Sequence, residues 1–432
     1  MGNISRSKKS LVIRRLEQLH LKTLTIPNIQ DIVSGKARIS DIKPVAVEDL
    51  LGRDQVPPKP ELMGAFISNK HVMVTGAGGS IGSELCRKIV LQNPKKLILF
   101  DLSEYNLYAI EHELNKLNSD HSVQVIPILG SVQNKEQLEE IMSAYSIDTI
   151  YHAAAYKHVP LVEHNIIEGV NNNILGTWRC AEAAIKSNVS SFILVSTDKA
   201  VRPTNIMGTT KRVAELVLQA LTERQTKARF TVVRFGNVLE SSGSVVPLFR
   251  KQIAAGGPIT VTHPEITRYF MTIPEAAELV IQAGAMGKGG DVFVLDMGEP
   301  VKIVDLARQM IHLSGLESKN DSQSHGDIEI QFSGLRPGEK LFEELLVGAN
   351  ATGTEHKLIM RAEEKYLDWS ETSSLLQEIE THCINRNHAR VHEILLVAPT
   401  DYQGDGEIKD YIWGSTPPKL NSKLIRLKQA EI

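Results

Sequence analysis

The chain of 432 residues carries 48 Lys and Arg against 51 Asp and Glu, a formal charge of −3, with 42% hydrophobic and 23% charged residues. That length predicts two to three domains with ample core, and the balanced charge, without a long basic run, excludes a nucleic-acid footprint and points to a small-molecule partner. Cys86, Cys180 and Cys383 show neither metal-ligand spacing nor a paired framework, so no metal is expected and a reducing compartment, the cytoplasm, is the default.

Residues 5–22 set Leu11, Ile13, Leu16, Leu19 and Leu21 among basic residues, a helical pattern, and residues 23–27 read as a short strand ended by Pro27. Neither has a sheet of its own. The first nine residues lack the apolar core of a signal peptide and match a myristoylation signal poorly, and no window approaches the roughly 20 apolar residues of a membrane span. Their basic side chains leave peripheral contact with the inner membrane as a secondary localisation. Residues 28–54 read as a connecting arm closed by the stiff Pro57, Pro58 and Pro60, so residues 1–61 are predicted as an N-terminal arm with the compact part beginning near Leu62.

Between residues 70 and 240, short apolar runs at 71–75, 96–100, 123–129, 149–152, 192–195 and 230–235 alternate with helical stretches. Such alternation means βαβ units, hence an α/β fold with a doubly wound parallel sheet over residues 62–240. After residue 240 come Gly/Pro turns and short strands such as 292–295, predicted as a smaller substrate lobe over 241–350 interleaved with the first domain. Residues 351–432 read as a helical extension.

The first strand runs into Gly76-Ala77-Gly78-Gly79-Ser80-Ile81-Gly82 and a helix predicted over 83–91. Glycines allow a tight turn and let backbone amides approach a pyrophosphate at the helix N-terminus. Asp101 ends the second strand, nineteen residues after Gly82, where a carboxylate accepts from adenosine ribose hydroxyls and repels a 2′-phosphate. NAD is therefore favoured over NADP; capping of the next turn is the alternative role for Asp101. Ser103 in that turn, Ser131 and Val132 after the third strand, and the small Ala153, Ala154 and Ala155 after the fourth complete the predicted dinucleotide site.

Thr197-Asp198-Lys199 follows the strand 192–195 and brings a hydroxyl, a carboxylate and an amine together; Met207 and Lys211 follow on a predicted helix. With these residues in view, the chain is identified as a member of the extended short-chain dehydrogenase/reductase superfamily. It most resembles the UDP-N-acetylglucosamine 4,6-dehydratases of the bacterial capsule and O-antigen polysaccharide-biosynthesis family. The resemblance runs from about residue 70 to 345, through the glycine-rich turn, Ala155-Tyr156-Lys157-His158, Asn173-Ile174-Leu175-Gly176, Ser196–Lys211, Arg234-Phe235-Gly236-Asn237, Ser244-Val245, Thr262-His263-Pro264, Thr267-Arg268 and Arg336-Pro337-Gly338-Glu339-Lys340. Met207 stands where the superfamily has a tyrosine; its thioether cannot exchange protons, and the substitution is itself a feature of the branch whose longer members carry membrane helices and which resembles the C5-configuration-retaining type. Residues 1–61 resemble the remnant of that branch's accessory domain, without the membrane helices. Ser131 in place of aspartate and Glu240 in place of glycine depart from the pattern.

The resemblance implies oxidation of C4 by NAD, loss of the C5 proton, expulsion of the C6 hydroxyl and return of the hydride to C6. It makes Asp198 the C6 acid, Lys199 the C5 base and Lys211 the ligand of the nicotinamide ribose. A lysine base must be neutral, so the Lys199 pKa is expected to fall through desolvation and the neighbouring Lys211. Thr197 is assigned to the C4 hydroxyl, the final proton acceptor being Asp198, Lys199 or a water. Arg268 and Arg336 suit a diphosphate, since a guanidinium clamps two oxygens, and Glu339 suits the uridine ribose. By family analogy Asn237, Val245 and Thr262 lie along the UDP, and Lys157 and Asn173 near the sugar or the catalytic loop. Structural roles stay open: Arg336-Pro337-Gly338 also makes a turn, and Asn173 can bridge backbone groups. The competing readings are a UDP-sugar C4 epimerase and a non-catalytic nucleotide-binding subunit. A homo-oligomer is expected.

Overall fold

The computed structural model describes residues 6–17, 23–26, 32–33, 38, 43–45, 47–53, 56–119, 122–225, 227–319, 326–345, 351–404 and 406–415. The apolar runs form β1 (His71–Thr75), β2 (Lys96–Asp101), β3 (Gln124–Leu129), β4 (Thr149–His152), β5 (Ser191–Val195) and β6 (Arg229–Arg234). β7 (Asp291–Leu295), β8 (Ala351–Gly353) and β9 (Ile359–Ala362) complete one nine-stranded sheet in the order β8-β9-β7-β6-β5-β4-β1-β2-β3. Strands β1 to β7 pair in parallel, and β8 and β9 add antiparallel. Most of these strands read as unbroken apolar runs because parallel sheets are covered on both faces.

The helices are α1 (Ser80–Val90), α2 (Glu104–Leu117), α3 (Lys135–Ala144), α4 (Gly176–Lys186), α5 (Ile206–Arg224), α6 (Ile273–Met286) and α7 (Ile303–Leu313). One face of the sheet is covered by α1, α2 and α6, through Leu85, Ile89, Ile110 and Val280; the other is covered by α3, α4 and α5, through Leu138, Ala184 and Val217. α5 is buried from Ile206 to Leu221 because the helix Trp369–Ile384 lies over its outer side with Leu376 and Ile379. The strand order reverses at β1, which pairs with β2 on one side and β4 on the other. At such a reversal the loops beyond the strand C-termini diverge and leave a crevice.

Several predicted features differ. The run 292–295 is not a strand of the small lobe: as β7 it extends the central sheet between β6 and β9. The extension beyond residue 351 begins with two strands before its helices Trp369–Ile384 and His388–Val397. The helix after the glycine-rich turn starts at Ser80, three residues before the predicted start, because Gly79 already has the extended conformation of an N-cap. The N-terminal strand does have a partner, since Leu24–Thr25 pairs antiparallel with Lys43–Pro44. The arm is also more than a connector: helix Arg6–Glu17 and helix Val47–Leu51 pack together, and Ile13, Val45, Val47 and Leu50 share a core with Phe249, Ile259, Leu306 and Ile311 of the smaller lobe. Pro27, much of residues 28–54 and residues 416–432 lie outside the described residues. Among the described residues, no helix is long and apolar enough to cross a membrane.

Candidate active site

A cleft of about 840 Å³ opens at the strand-order reversal, and Gly76, Gly79, Ser80, Ile81 and Gly82 form one wall. The wall must be glycine-rich for steric reasons. Gly76 has φ 67°, and a Cβ there would lie 2.7 Å from the Ala154 backbone nitrogen; a Cβ on Gly82 would lie 1.9 Å from the Gly76 carbonyl oxygen. The turn therefore packs backbone to backbone. The Gly79 N-cap offers no side-chain acceptor, so the first amides of α1 are left for an anion in the cleft.

Asp101 organises the next turn: its Oδ2 accepts from Gly78 N–H and its Oδ1 from Ser103 N–H, both at 2.8 Å. Each carboxylate oxygen keeps lone-pair capacity for a hydroxyl. Asp101 lines a smaller pocket of about 190 Å³ with Ser131, Val132, Ala153, Ala154 and Ala155, and this pocket shares Gly76, Gly79 and Ala153 with the main cleft. Ser103 lines neither pocket; its side chain caps α2 by accepting from Asn106 N–H at 3.4 Å.

Thr197-Asp198-Lys199 leaves β5 as one turn of 3-10 helix, Asp198–Ala200, capped by Thr197, whose Oγ1 accepts from Lys199 N–H at 3.3 Å. The same hydroxyl donates to Asp198 Oδ1 at 2.9 Å. Lys199 Nζ donates to Asp198 Oδ1 and to Asn237 Oδ1, both at 3.0 Å, and lies 3.4 Å from Glu343 Oε1. Asp198 is 1% exposed and its Oδ2 is buried without a partner. Thr197, Lys199, Met207 and Lys211 line the cleft, whereas Asp198 lies just behind it.

The two lysines shift in opposite directions. Burial alone would lower the Lys199 pKa, but Asp198 and Glu343 outweigh it and hold the ammonium above the ordinary lysine range, against the expectation of a fall. Burial dominates at Lys211, which is held down to about 8 while its Nζ donates to the Val195 carbonyl at 2.8 Å. Lys211 therefore does not act on Lys199 as expected; the cation that faces Lys199 is Arg268. Met207 is 2% exposed and packs in the hydrophobic core, with no ring hydroxyl in its place.

On the substrate side, Lys157, Asn237, Val245, Thr262, Arg268, Arg336 and Glu339 all line the cleft. Desolvation holds the Lys157 pKa below the usual lysine range. Arg268 is 8% exposed and is engaged by Glu339 Oε1 at 3.2 Å and by the Thr267 carbonyl at 2.7 Å, so it fastens the 336–343 segment to the lobe. Glu339 in turn accepts from Thr262 Oγ1 and from Arg336 N–H. The Arg336 side chain is exposed and is the freer guanidinium of the two. Asn173 does not reach the cleft: fully buried, it brackets Tyr156 by accepting from its N–H at 2.8 Å and donating to its carbonyl at 2.9 Å. It thereby fixes the Tyr156–Lys157 turn, the backbone-bridging role left open from the sequence.

Glu343 escaped the sequence reading. It sits four residues beyond Glu339, in the continuation of the Arg-Pro-Gly-Glu-Lys segment, and that spacing was the available signal.

A model of the polysaccharide biosynthesis protein family matches residues 72–364. The chain belongs to that family. The capsular polysaccharide biosynthesis protein CapD of Staphylococcus aureus is 54% identical over 321 residues, covering 74% of this chain and 52% of that protein; this chain spans about half the length of that relative. A UDP-glucose 4-epimerase of Rickettsia canadensis is 31% identical over 346 residues, 76% of this chain and 96% of the relative. The solved structure of Pen from Bacillus thuringiensis superposes with a TM-score of 0.61 at 30% identity, over 72% of this chain and 98% of that one. The fold is the Rossmann-type extended short-chain dehydrogenase/reductase fold.

Proposed function

We propose that this chain is a nucleotide-sugar 4,6-dehydratase, acting on UDP-N-acetylglucosamine with NAD as resident cofactor and giving a UDP-4-keto-6-deoxy-N-acetylhexosamine with C5 configuration retained, for surface-polysaccharide synthesis. The observation that carries the reading is the hydrogen-bonded Thr197–Asp198–Lys199 set, which adjoins the same cleft as the glycine-rich turn and Lys211. Gly76, Gly79, Ser80 and Gly82 would hold the pyrophosphate, Asp101 the adenosine ribose and Lys211 the nicotinamide ribose. When bound, NAD supplies the oxidant for C4 and the reductant for C6.

The protein's own groups account for the protons. Thr197 binds the C4 hydroxyl and passes its proton to Asp198 Oδ1, at 2.9 Å. Asp198 is then the acid that releases the C6 hydroxyl as water. Its neutralisation also removes one of the two negative charges that hold the Lys199 proton, which eases loss of that proton to solvent and frees the amine for C5. Lys199 returns a proton to C5 at the end from the same face. Met207 contributes shape to this route and no proton chemistry.

The 31% identity to an epimerase over nearly that protein's whole length favours C4 epimerisation as the second reading. Epimerisation, however, uses neither a C5 base nor a C6 acid. Substrate carrying deuterium at C4 separates them: the dehydratase puts the label in the C6 methyl group and takes solvent hydrogen at C5. Deuterium retained at C4 of a galacto-configured sugar would establish the epimerase instead.

A further inference from the structure

Lys199 Nζ donates to Asp198 Oδ1 and Asn237 Oδ1, both at 3.0 Å, and forms an ion pair with Glu343 Oε1 at 3.4 Å. Two accepting oxygens and a second carboxylate at ion-pair distance suit the protonated form, whose hydrogens are all donors, whereas a neutral amine would turn its lone pair onto an oxygen. Both carboxylates beside it are buried. Glu343 is 3% exposed in its side chain, its Oε1 also lies 3.6 Å from Arg268 Nε, and its Oε2 is buried without a hydrogen-bond partner. A buried carboxylate oxygen with no donor costs stability, and such a group is retained where its charge has a use.

We propose that Glu343 is a positioning residue of the reaction centre, the counter-charge that holds Lys199 as an ammonium at rest and strengthens it as a base when Asp198 becomes neutral. Of the groups facing Lys199, Asp198 and Glu343 are anionic and Arg268 is cationic. Asp198 is the acid of the reaction and changes charge during it. Glu343 is the anion that stays, and its charge favours the ammonium formed when Lys199 takes the C5 proton. Arg268, which touches both Glu339 and Glu343, fixes the carboxylate at this distance.

The base role rests on the dehydratase reading, so the test reads Lys199 without turnover. Full-length protein is labelled with trace acetic anhydride between pH 7 and 11.5, and modification of Lys199 is quantified by mass spectrometry against Lys135 on the outside of α3, because only neutral amines react. In native protein the Lys199 midpoint is expected above that of a free lysine, about 10.4. Glu343→Gln keeps the shape, removes the charge and is expected to lower the midpoint enough to raise Lys199 labelling about tenfold at a given pH on the rising limb. A wider cleft would scale labelling equally at every pH and leave the midpoint in place. Glu343→Asp keeps the charge one methylene farther away and carries the same test with a smaller shift, should the glutamine variant fail to fold. A Lys199 midpoint that is the same in native and variant protein overturns the proposal. In turnover, Glu343→Gln is expected to move the ascending limb of kcat to lower pH and change KM little. Absence of turnover by native protein with UDP-N-acetylglucosamine would instead overturn the dehydratase reading and leave the labelling result intact.

Discussion

Replacing Lys211 by methionine tests the electrostatics of the cleft through stability. Lys211 is 5% exposed, and burial holds its pKa down from 10.5 to about 8, with Glu215 acting in the opposite sense. Below pH 8 the lysine is protonated in both folded and unfolded chains, so the folded state carries the whole cost of the buried charge; above 10.5 it is neutral in both and the cost is gone. Native stability from this group therefore rises between pH 8 and 10.5. At 1.36 kcal/mol per pH unit the cost is roughly 3 kcal/mol at pH 7 and roughly 1 kcal/mol at pH 10. Methionine fills the same volume without the charge and loses the bond to the Val195 carbonyl, worth about 1 kcal/mol. Lys211→Met is thus expected to be more stable than native protein by roughly 2 kcal/mol at pH 7 and equal to it near pH 10, while losing turnover. Urea denaturation of nucleotide-free protein at both pH values measures the difference. A variant no more stable at pH 7, or a difference that does not change with pH, would refute the reasoning.

Asp198→Asn and Lys199→Ala are each expected to lower turnover at least about 100-fold while sparing the dinucleotide recovered after denaturation, and near-native turnover in either removes its role. Asp101→Ala releases the amides of Gly78 and Ser103 as well as the ribose acceptor, so calorimetric titration should show weaker NAD binding and less discrimination against NADP; an unchanged ratio would leave Asp101 with the turn alone. Arg336→Ala is expected to raise KM for the UDP-sugar far more than it changes kcat, because a diphosphate ligand binds ground and transition states alike. An unchanged KM takes Arg336 out of the site.

Five of the six strands before residue 240 were legible because burial on both faces leaves them as apolar runs between turns; the sixth, the edge strand β3, has no buried residue and was legible from its apolar composition alone. The seventh was legible as a strand but not as part of the sheet, since the four-residue run 292–295 carries no record of its neighbour. The N-terminal segments were misread for a related reason: the helix Arg6–Glu17 is amphipathic in isolation, and the core that Ile13 and Leu50 join is built from α7 and other elements of the smaller lobe, far along the chain. The cleft residues that adjoin each other in sequence could be read from motif and spacing. Those acting through a distant partner could be read only in part: Arg268 suited a free diphosphate ligand, yet Glu339 engages it, and of the two roles open to Asn173 the backbone of Tyr156 takes the bridging one.

The sign of the Lys199 shift shows what separates the two lysines of the site. Lys211 is buried and Lys199 half-buried near the end of β5, and desolvation is the largest influence on each. Each also has carboxylates nearby, so proximity of opposite charge does not distinguish them. Availability of that charge does. Glu215, beside Lys211, is already bound by Arg234, Arg212 and the Ser196 hydroxyl, and its charge is largely spent on those donors. Asp198 and Glu343, beside Lys199, each keep one oxygen without a donor and can hold a proton on the amine. A pair of amines pushed apart in this way suits two tasks: one positions a ligand through a hydrogen bond and the other carries a proton. With methionine at position 207, α5 presents no phenol to the cleft to share the second task, and in the proposed reaction that task is left to Thr197, Asp198 and Lys199.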